Sequence, residues 1–201
     1  MRITAILIAA GLSSRMKGPN KLLEFIGDKH LIHHAYDQLT AASVDQIIIV
    51  TGRDASQMEL VLSPFKMAQT EIVYNKDFEK GMTTSIQTGL KHTKNSDAVM
   101  ICLGDMPEMN SEGYDLLLNE FRALGSNDRL LAPFRGGVRG NPVIFGSHYF
   151  IQMAEHKEPN GCSAIVKANS ANLIKFETND EAYFFDIDTP ESLEAYNKRV
   201  K

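Results

Sequence analysis

Residues 1–21 read MRITAILIAAGLSSRMKGPNK. The apolar run 3–10 is short, rich in β-formers and bounded by a turn signal, which predicts a buried strand over residues 4–9. The loop after it carries Gly11, the hydroxyls of Ser13 and Ser14, the guanidinium of Arg15 and, six residues later, Lys21. A loop at the carboxyl end of a first strand is where open α/β sheets bind ligands. Gly11 permits close approach of the backbone to a ligand, and two cations among free amides suit a polyphosphate. A lone Gly-x-x-x-Arg would read as an ordinary strand-to-turn junction with surface charges; the whole string is more specific. Pro19-Asn20 stiffens the approach to Lys21, because proline fixes φ and asparagine tolerates turns.

Outward from this string, the hydrophobic pattern predicts further strands at 46–51, 71–74 and 98–103, with helical periodicity near 30–42, 55–63 and 83–92. Strands alternating with helices predict a three-layer, Rossmann-like α/β fold with a mostly parallel central sheet. A helix near 113–124 would place Leu116, Leu117, Phe121 and Leu124 on one apolar stripe. The second half is less regular, with short strand candidates at 130–134, 142–145, 173–176 and 183–186, some of them antiparallel. The last helix has a clear start, with Thr189 as N-cap, Pro190 in the first position and Glu191 complementing the dipole. No repeat, low-complexity tract or linker divides the sequence, so one domain over 1–201 is expected, with a nucleotide-holding half (1–95) and a metal and acceptor half (96–201).

The bulk numbers exclude several classes. Hydrophobic content of 43%, charged content of 23% and a net charge of −4 describe an ordinary globule with none of the basic excess of nucleic-acid binders. A local cation cluster and a metal ion can still neutralise a nucleotide. No apolar stretch reaches membrane-spanning length, and no basic segment and cleavage site frame the first run as a signal peptide, so a cytoplasmic location is expected. The two cysteines form no disulfide framework or zinc spacing. Cys102 lies in an apolar run and Cys162 in a loop context after Asn160-Gly161, and the six histidines are scattered.

Residues 9–23, AAGLSSRMKGPNKLL, resemble the signature loop of nucleotidyltransferases of the molybdenum-cofactor type, most of all the cytidylyltransferases that act on molybdopterin. The resemblance continues at Asn75, at Gly81-Met82-Thr83-Thr84-Ser85, at Gly104-Asp105-Met106-Pro107, at Arg139-Gly140-Asn141-Pro142 and at Asp186-Ile187-Asp188-Thr189-Pro190-Glu191. It implies transfer of a nucleoside monophosphate from a triphosphate, with pyrophosphate expelled. Catalysis of that kind is mostly positioning and electrostatics. Arg15 can fork onto β- and γ-phosphates, and Lys21 brings a point charge to the α-phosphate.

Asp105 follows an apolar run and a glycine, so it belongs at a strand's carboxyl end, where a hard oxygen ligand suits Mg²⁺ shared with phosphates. The plain alternative is a turn aspartate before Pro107. By resemblance Asp105 is a metal ligand. Asp188 is a second one, although Asp-Thr-Pro is also a good helix entry, and Asp186 is less favoured. The segment from Gly81 to Ser85 opens a helix, so its amides could face a nucleotide or simply cap the helix.

The resemblance puts Gly81 and Ser85 beside base and ribose with Thr51 and Asn75. Ala9, Ala10, Gly11, Leu12, Ser13 and Ser14 would complete the nucleotide site. Ala-Ala-Gly is the form associated with cytidylyl transfer, whereas the guanylyl branch resembles Ala-Gly-Gly. Arg139, Gly140 and Asn141 would bind the acceptor, the alternative being a basic hairpin turn. Two positions depart from the pattern: Lys17, where similar enzymes carry a small residue, and Cys162, where they tend to have Asp.

The leading expectation is an Mg²⁺-dependent enzyme joining CTP to a molybdopterin-type cofactor, with a molybdoenzyme receiving the product and no nucleic-acid or membrane partner. A sugar phosphate as acceptor, and a non-catalytic carrier of finished cofactor, are the alternatives. A dinucleotide-dependent oxidoreductase is disfavoured, because the first loop is not G-x-G-x-x-G and no acidic residue ends the second strand.

Overall fold

The structure is a computed structural model that describes residues 1–16, 18 and 20–200; the readings of Lys17 and Pro19 lie outside the described residues. Strand β1 (Ile3–Ala9) is buried along its whole length. Ile3, Ala5, Leu7 and Ala9 enter one apolar cluster, and Ile6, Ile8 and Ala10 enter a second one on the other face. A strand covered on both faces reads as an unbroken apolar run, which is why its sequence is so legible.

The chain continues through the hairpin β2 (Phe25–Ile26) and β3 (Lys29–His30), then α1 (Leu31–Ala41), β4 (Gln46–Thr51), α2 (Ala55–Leu62), β5 (Thr70–Tyr74), α3 (Met82–Lys91), β6 (Ala98–Leu103) and α4 (Ser111–Ala123). The second half adds β7 (Leu130–Arg135), β8 (Val138–Arg139), β9 (Val143–Gly146), α5 (Phe150–Glu155), α6 (Ser163–Ala168), β10 (Leu173–Glu177) and α7 (Pro190–Arg199). The main sheet runs β10-β7-β9-β6-β1-β4-β5, with β8 paired to β7. β4, β1, β6 and β5 are parallel, whereas β9 runs antiparallel to both neighbours. This is the expected three-layer α/β arrangement. One layer holds Tyr36 of α1, Met58 of α2, Phe121 of α4 and Tyr196 of α7; the other holds Ile86 of α3, Met153 of α5 and Ile165 of α6.

The chain leaves β1 toward β4 on one side and later returns to β6 on the other. The loops after β1 and β6 therefore diverge around a crevice at a topological switch point, where open α/β sheets bind ligands. Among the described residues, no helix is long and apolar enough to cross a membrane.

Two expectations need correction. The strand expected at 183–186 is absent; a 3₁₀ turn spans Glu181–Tyr183. The amides of Phe184 and Phe185 both turn back to the Glu181 carbonyl, the Tyr183 carbonyl accepts from Asn141, and Ile187 donates to the Asp105 carbonyl, so no ladder partner remains. On α4 the buried stripe is Tyr114, Leu117, Leu118 and Phe121, and Leu116 is 55% exposed. The helix is rotated from the predicted face so that Tyr114 and Leu118 fill the core.

The turn between α4 and β7 makes a close backbone crossing. A Cβ at Gly146 would lie 2.0 Å from the Asn127 carbonyl oxygen. That carbonyl also accepts from His148 at 3.2 Å, and Gly146 donates to Arg129 at 3.0 Å, so neither strand of chain is free to retreat. Gly146→Ala is expected to cost about 3 kcal/mol of unfolding free energy, read as a lower urea midpoint. A midpoint equal to that of the unmutated chain would show that the crossing can relax.

Candidate active site

The loop after β1 is built by short-range bonds. Residues Ser14–Met16 form a 3₁₀ turn, and a second one, Lys21–Leu23, is capped by Asn20, whose side chain accepts from the Leu22 amide at 3.2 Å. The Ser13 hydroxyl accepts from the Lys21 amide at 3.2 Å. Met16 and Asn20, both 4% exposed, anchor the loop, while Leu12, Ser14 and Arg15 stay at the surface. Gly11 is exposed, with open space where a Cβ would stand.

Across the crevice, Asp105 follows β6 and Gly104. The Gly104 amide donates to the Ile8 carbonyl, and the Asp105 carbonyl accepts from Ile187, which stitches the segment before α7 to the end of β6. Thr189 and Ser192 cap α7 reciprocally, and the Ser192 hydroxyl also accepts from the Asp188 amide at 3.2 Å. Three distant stretches of sequence thereby meet. Lys21 Nζ donates to Asp105 Oδ2 at 2.5 Å and to Asp188 Oδ1 at 2.7 Å, and Arg15 Nη1 lies 2.6 Å from Asp188 Oδ2. Asp105, Asp186 and Asp188 each offer a carboxylate oxygen within 4.8 Å of the others. Asp186, the less favoured candidate, is thus a full member of the cluster.

The electrostatics follow from this crowding. Burial disfavours the Lys21 ammonium, but the charge and hydrogen bond of Asp105, joined by those of Asp188, outweigh it and hold its pKa above the usual lysine value. Burial, then Asp188 and Asp105, push the Asp186 carboxyl above the usual carboxylate range, with Lys21 and Arg15 pulling the other way. Asp105 Oδ1 is buried and accepts no hydrogen bond from the described residues. A buried acceptor without a donor is costly, and it is the natural face for a cation. Among the described residues, three carboxylates against two cations give the cleft a formal charge of −1. A polyanionic triphosphate would be repelled there until a divalent cation reversed the sign. The residues present therefore fit a hard divalent metal.

The cleft, about 280 Å³, is lined by Gly11, Leu12, Ser13, Ser14, Arg15, Lys21 and the three aspartates, with Ile8, Leu22, Met82 and Leu103 as its apolar floor and wall. Ala9 and Ala10 are buried just beneath. A second cavity of about 150 Å³ shares Met82 and Leu103 with it and is lined by Arg139, Asn141, Cys162, Ser163 and apolar residues of β6 and β9. Arg139 donates to the Ser163 hydroxyl at 2.8 Å and has no carboxylate partner among the described residues. Gly140 lies behind, packed on the Tyr183 carbonyl. Burial pushes the Cys162 thiol up to about 12, so it is held neutral.

Four of the expected nucleotide residues sit apart from the Lys21 cleft. Asn75 is buried, donates to the hydroxyls of Thr84 and Ser85, and accepts from the Asp77 amide. Its side chain holds the start of α3. Ser85 is buried with it, and Gly81 takes a φ of 109° against Pro159. Thr51 hydrogen-bonds the Val73 carbonyl and lines a neighbouring open cavity.

Sequence reading gave no site role to the side chains of Met82 and Leu103, which join the two cavities, or to Ser163, which accepts from Arg139. It also passed over Arg53, which donates to two carbonyls of the loop after β1. The signal for Arg53 was the one that found Arg15: a cation just past the end of a strand.

The family model described as the MobA-like NTP transferase domain matches residues 5–173. The molybdenum cofactor guanylyltransferase of Haemophilus influenzae is 29% identical over 198 residues, 95% of this chain and 95% of that protein. The nicotine blue oxidoreductase of Paenarthrobacter nicotinovorans is 25% identical over 199 residues, 95% of this chain and 94% of that one. The bifunctional protein GlmU of Staphylococcus epidermidis is 24% identical over 182 residues, 88% of this chain, and this chain spans only 39% of its length. Among solved structures, Rv0371c of Mycobacterium tuberculosis superposes with a TM-score of 0.85 at 21% identity, covering 98% of each chain. A structure of that protein in complex with manganese gives 0.80 at 18% identity, covering 98% of this chain and 99% of the other.

Proposed function

The chain belongs to the family of MobA-like NTP transferase domains, and on that premise we propose that it is an Mg²⁺-dependent nucleotidyltransferase that moves CMP from CTP onto the terminal phosphate of a molybdopterin-type cofactor. The observation that carries the reading is Lys21 Nζ seated between Asp105 and Asp188, with Arg15 alongside, at the switch point of the sheet. That is a site with cations for phosphates and carboxylates for a metal in one cleft.

In this reading an oxygen of the acceptor phosphate attacks the α-phosphorus, the bond from that phosphorus to the bridging oxygen breaks, and pyrophosphate leaves. The acceptor phosphate is already ionised near neutral pH, so no general base is required. Lys21 neutralises charge at the α-phosphate, and Arg15 holds the leaving phosphates with its fork of donors. Ala9, Ala10, Gly11, Leu12, Ser13 and Ser14 carry the nucleotide, and Asn75 and Ser85 act through the start of α3. Asp105 and Asp188, with Asp186 beside them, would hold the Mg²⁺, which when bound supplies charge neutralisation at the phosphates. Residues 1–95 then serve the nucleotide and 96–201 the metal and acceptor within one domain. A cytoplasmic site of action and delivery of product to a molybdoenzyme belong to the same reading.

Arg139, with Asn141 and the backbone at Gly140, receives the acceptor. Arg139→Ala is expected to raise the acceptor KM about tenfold and leave the CTP KM unchanged, as measured by initial rates. An unchanged acceptor KM would remove Arg139 from that role.

The choice of CTP rests on the Ala9-Ala10-Gly11 form of the loop. A guanylyl reading is favoured by the Haemophilus influenzae relative. Pyrophosphate release with Mg²⁺ and molybdopterin-type acceptor, compared for CTP, GTP, ATP and UTP, separates the two. Release with CTP alone supports the proposal, and release with GTP alone replaces cytidylyl by guanylyl transfer. No release with any of them, while triphosphates still bind, leaves a carrier or another phosphorylated acceptor.

A further inference from the structure

Arg53 stands just beyond β4 and faces a cavity other than the Lys21 cleft. Its guanidinium nevertheless reaches the loop after β1 twice, with Nη1 donating to the Leu12 carbonyl at 2.6 Å and Nη2 donating to the Gly18 carbonyl. The loop reaches back: Asn20 Nδ2 donates to the Arg53 carbonyl at 3.2 Å, and Asn20 is 4% exposed. Nε of Arg53 lies 3.3 Å from the Asp54 carboxylate, which fixes the plane of the fork. The two segments are therefore latched reciprocally, across a separation of more than thirty residues in sequence.

The latch has a directional consequence. In a planar trans peptide the C=O and the following N–H point to opposite sides. Turning the Leu12 carbonyl toward Arg53 turns the Ser13 N–H to the opposite side, away from Arg53, in a loop whose Ser13, Ser14 and Arg15 line the cleft. Ser13 itself has a φ of 50°, a left-handed conformation that a serine keeps only when its surroundings hold it. Gly11, Leu12, Ser14, Arg15 and Gly18 are exposed, so packing holds the loop at Met16 and Asn20 and leaves these positions to hydrogen bonds.

We propose that Arg53 is a positioning residue for the triphosphate. By forking onto the Leu12 and Gly18 carbonyls it presents the amides of the loop after β1, together with Arg15, toward the phosphates, without touching them. The inference rests on the nucleotidyltransferase reading above. It assigns Arg53 to nucleotide binding and gives it no part in acceptor binding.

The test uses the full chain as wild type, Arg53→Met and Arg53→Lys. CTP with Mg²⁺ is the calorimetric probe, the other three triphosphates are run on the wild type, and exchange of the loop's hydrogen-bonded amide, that of Met16 donating to the Ser13 carbonyl, is followed without nucleotide. Arg53→Met is expected to weaken CTP binding about tenfold or more and to speed exchange of that amide by a similar factor, since two charge-assisted bonds are lost. Arg53→Lys, which has a charge but no fork, should fall between the two. The acceptor KM and the melting temperature should hold. Wild-type CTP affinity and wild-type exchange in Arg53→Met would overturn the inference and leave the nucleotidyltransferase reading standing. So would an equal loss in acceptor KM and melting temperature, which marks a merely structural role. Failure of the wild type to bind any of the four triphosphates would overturn the underlying reading and the inference with it.

Discussion

Lys21→Ala should lower the rate of nucleotidyl transfer about a thousandfold while the chain stays folded. The Lys21 side chain is 12% exposed and its ammonium sits between two carboxylates at 2.5 and 2.7 Å, so its position is fixed before substrate arrives. A unit charge at about 4 Å in a medium of effective dielectric near 20 is worth roughly 4 kcal/mol, or about 10³ in rate when it acts on the transition state. Lys21→Arg keeps the charge but not the compact point donor, so it should recover only part of the rate. Removing Lys21 also takes from Asp105 its ion-pair partner and leaves Asp188 with Arg15 alone among the described cations. A lower melting temperature in the absence of divalent cation, restored when Mg²⁺ is added, is therefore expected alongside the kinetic loss. An unchanged rate in Lys21→Ala would sink the α-phosphate assignment.

Asp105→Asn should abolish Mg²⁺-dependent turnover to a similar extent, by about 10³ or more, since the interactions a divalent cation makes with developing phosphate charge are worth several kcal/mol. The substitution keeps the shape of the side chain and the backbone carbonyl that accepts from Ile187, so the stitch between β6 and the segment before α7 survives. What it removes is the negative charge and the unpartnered acceptor Oδ1. Calorimetric titration of the unreacted protein with Mn²⁺ provides a readout apart from turnover: binding should be lost in Asp105→Asn and weakened in Asp188→Asn. Near-normal turnover together with unaltered Mn²⁺ binding would take Asp105 out of the metal role.

How far these features were legible depends on what each residue reports. β1, β4 and β6 were readable to within a residue because strands buried on both faces need an uninterrupted apolar run. The start of α7 was readable because Thr189 and Pro190 act on their own neighbours. The segment 183–186 looked like a strand because it is apolar and aromatic, but the amides of Phe184 and Phe185 are taken by a local turn and the Tyr183 carbonyl accepts from the Asn141 amide. Leu116 looked buried because helical spacing alone allows several rotations, and packing of Tyr114 chose another. Asn75 carried the family pattern, yet its amide group is consumed inside the fold.

By itself, then, the sequence determined the α/β class, the strand that anchors it, and the residue types able to serve phosphates and a metal, because periodicity and capping are local and each residue bears them alone. Only the tertiary structure decided which of those residues meet. Strand order puts β1 beside β6, and this brings Lys21 to Asp105 and Asp188 across 84 and 167 residues of chain. The same packing lets Arg53 grip the loop of Leu12 and Gly18 and turns Asp186 into a third carboxylate of the cluster. Such meetings are set by how sheet and helices bury their apolar faces against one another, an outcome of the whole chain's packing that no short stretch of sequence encodes.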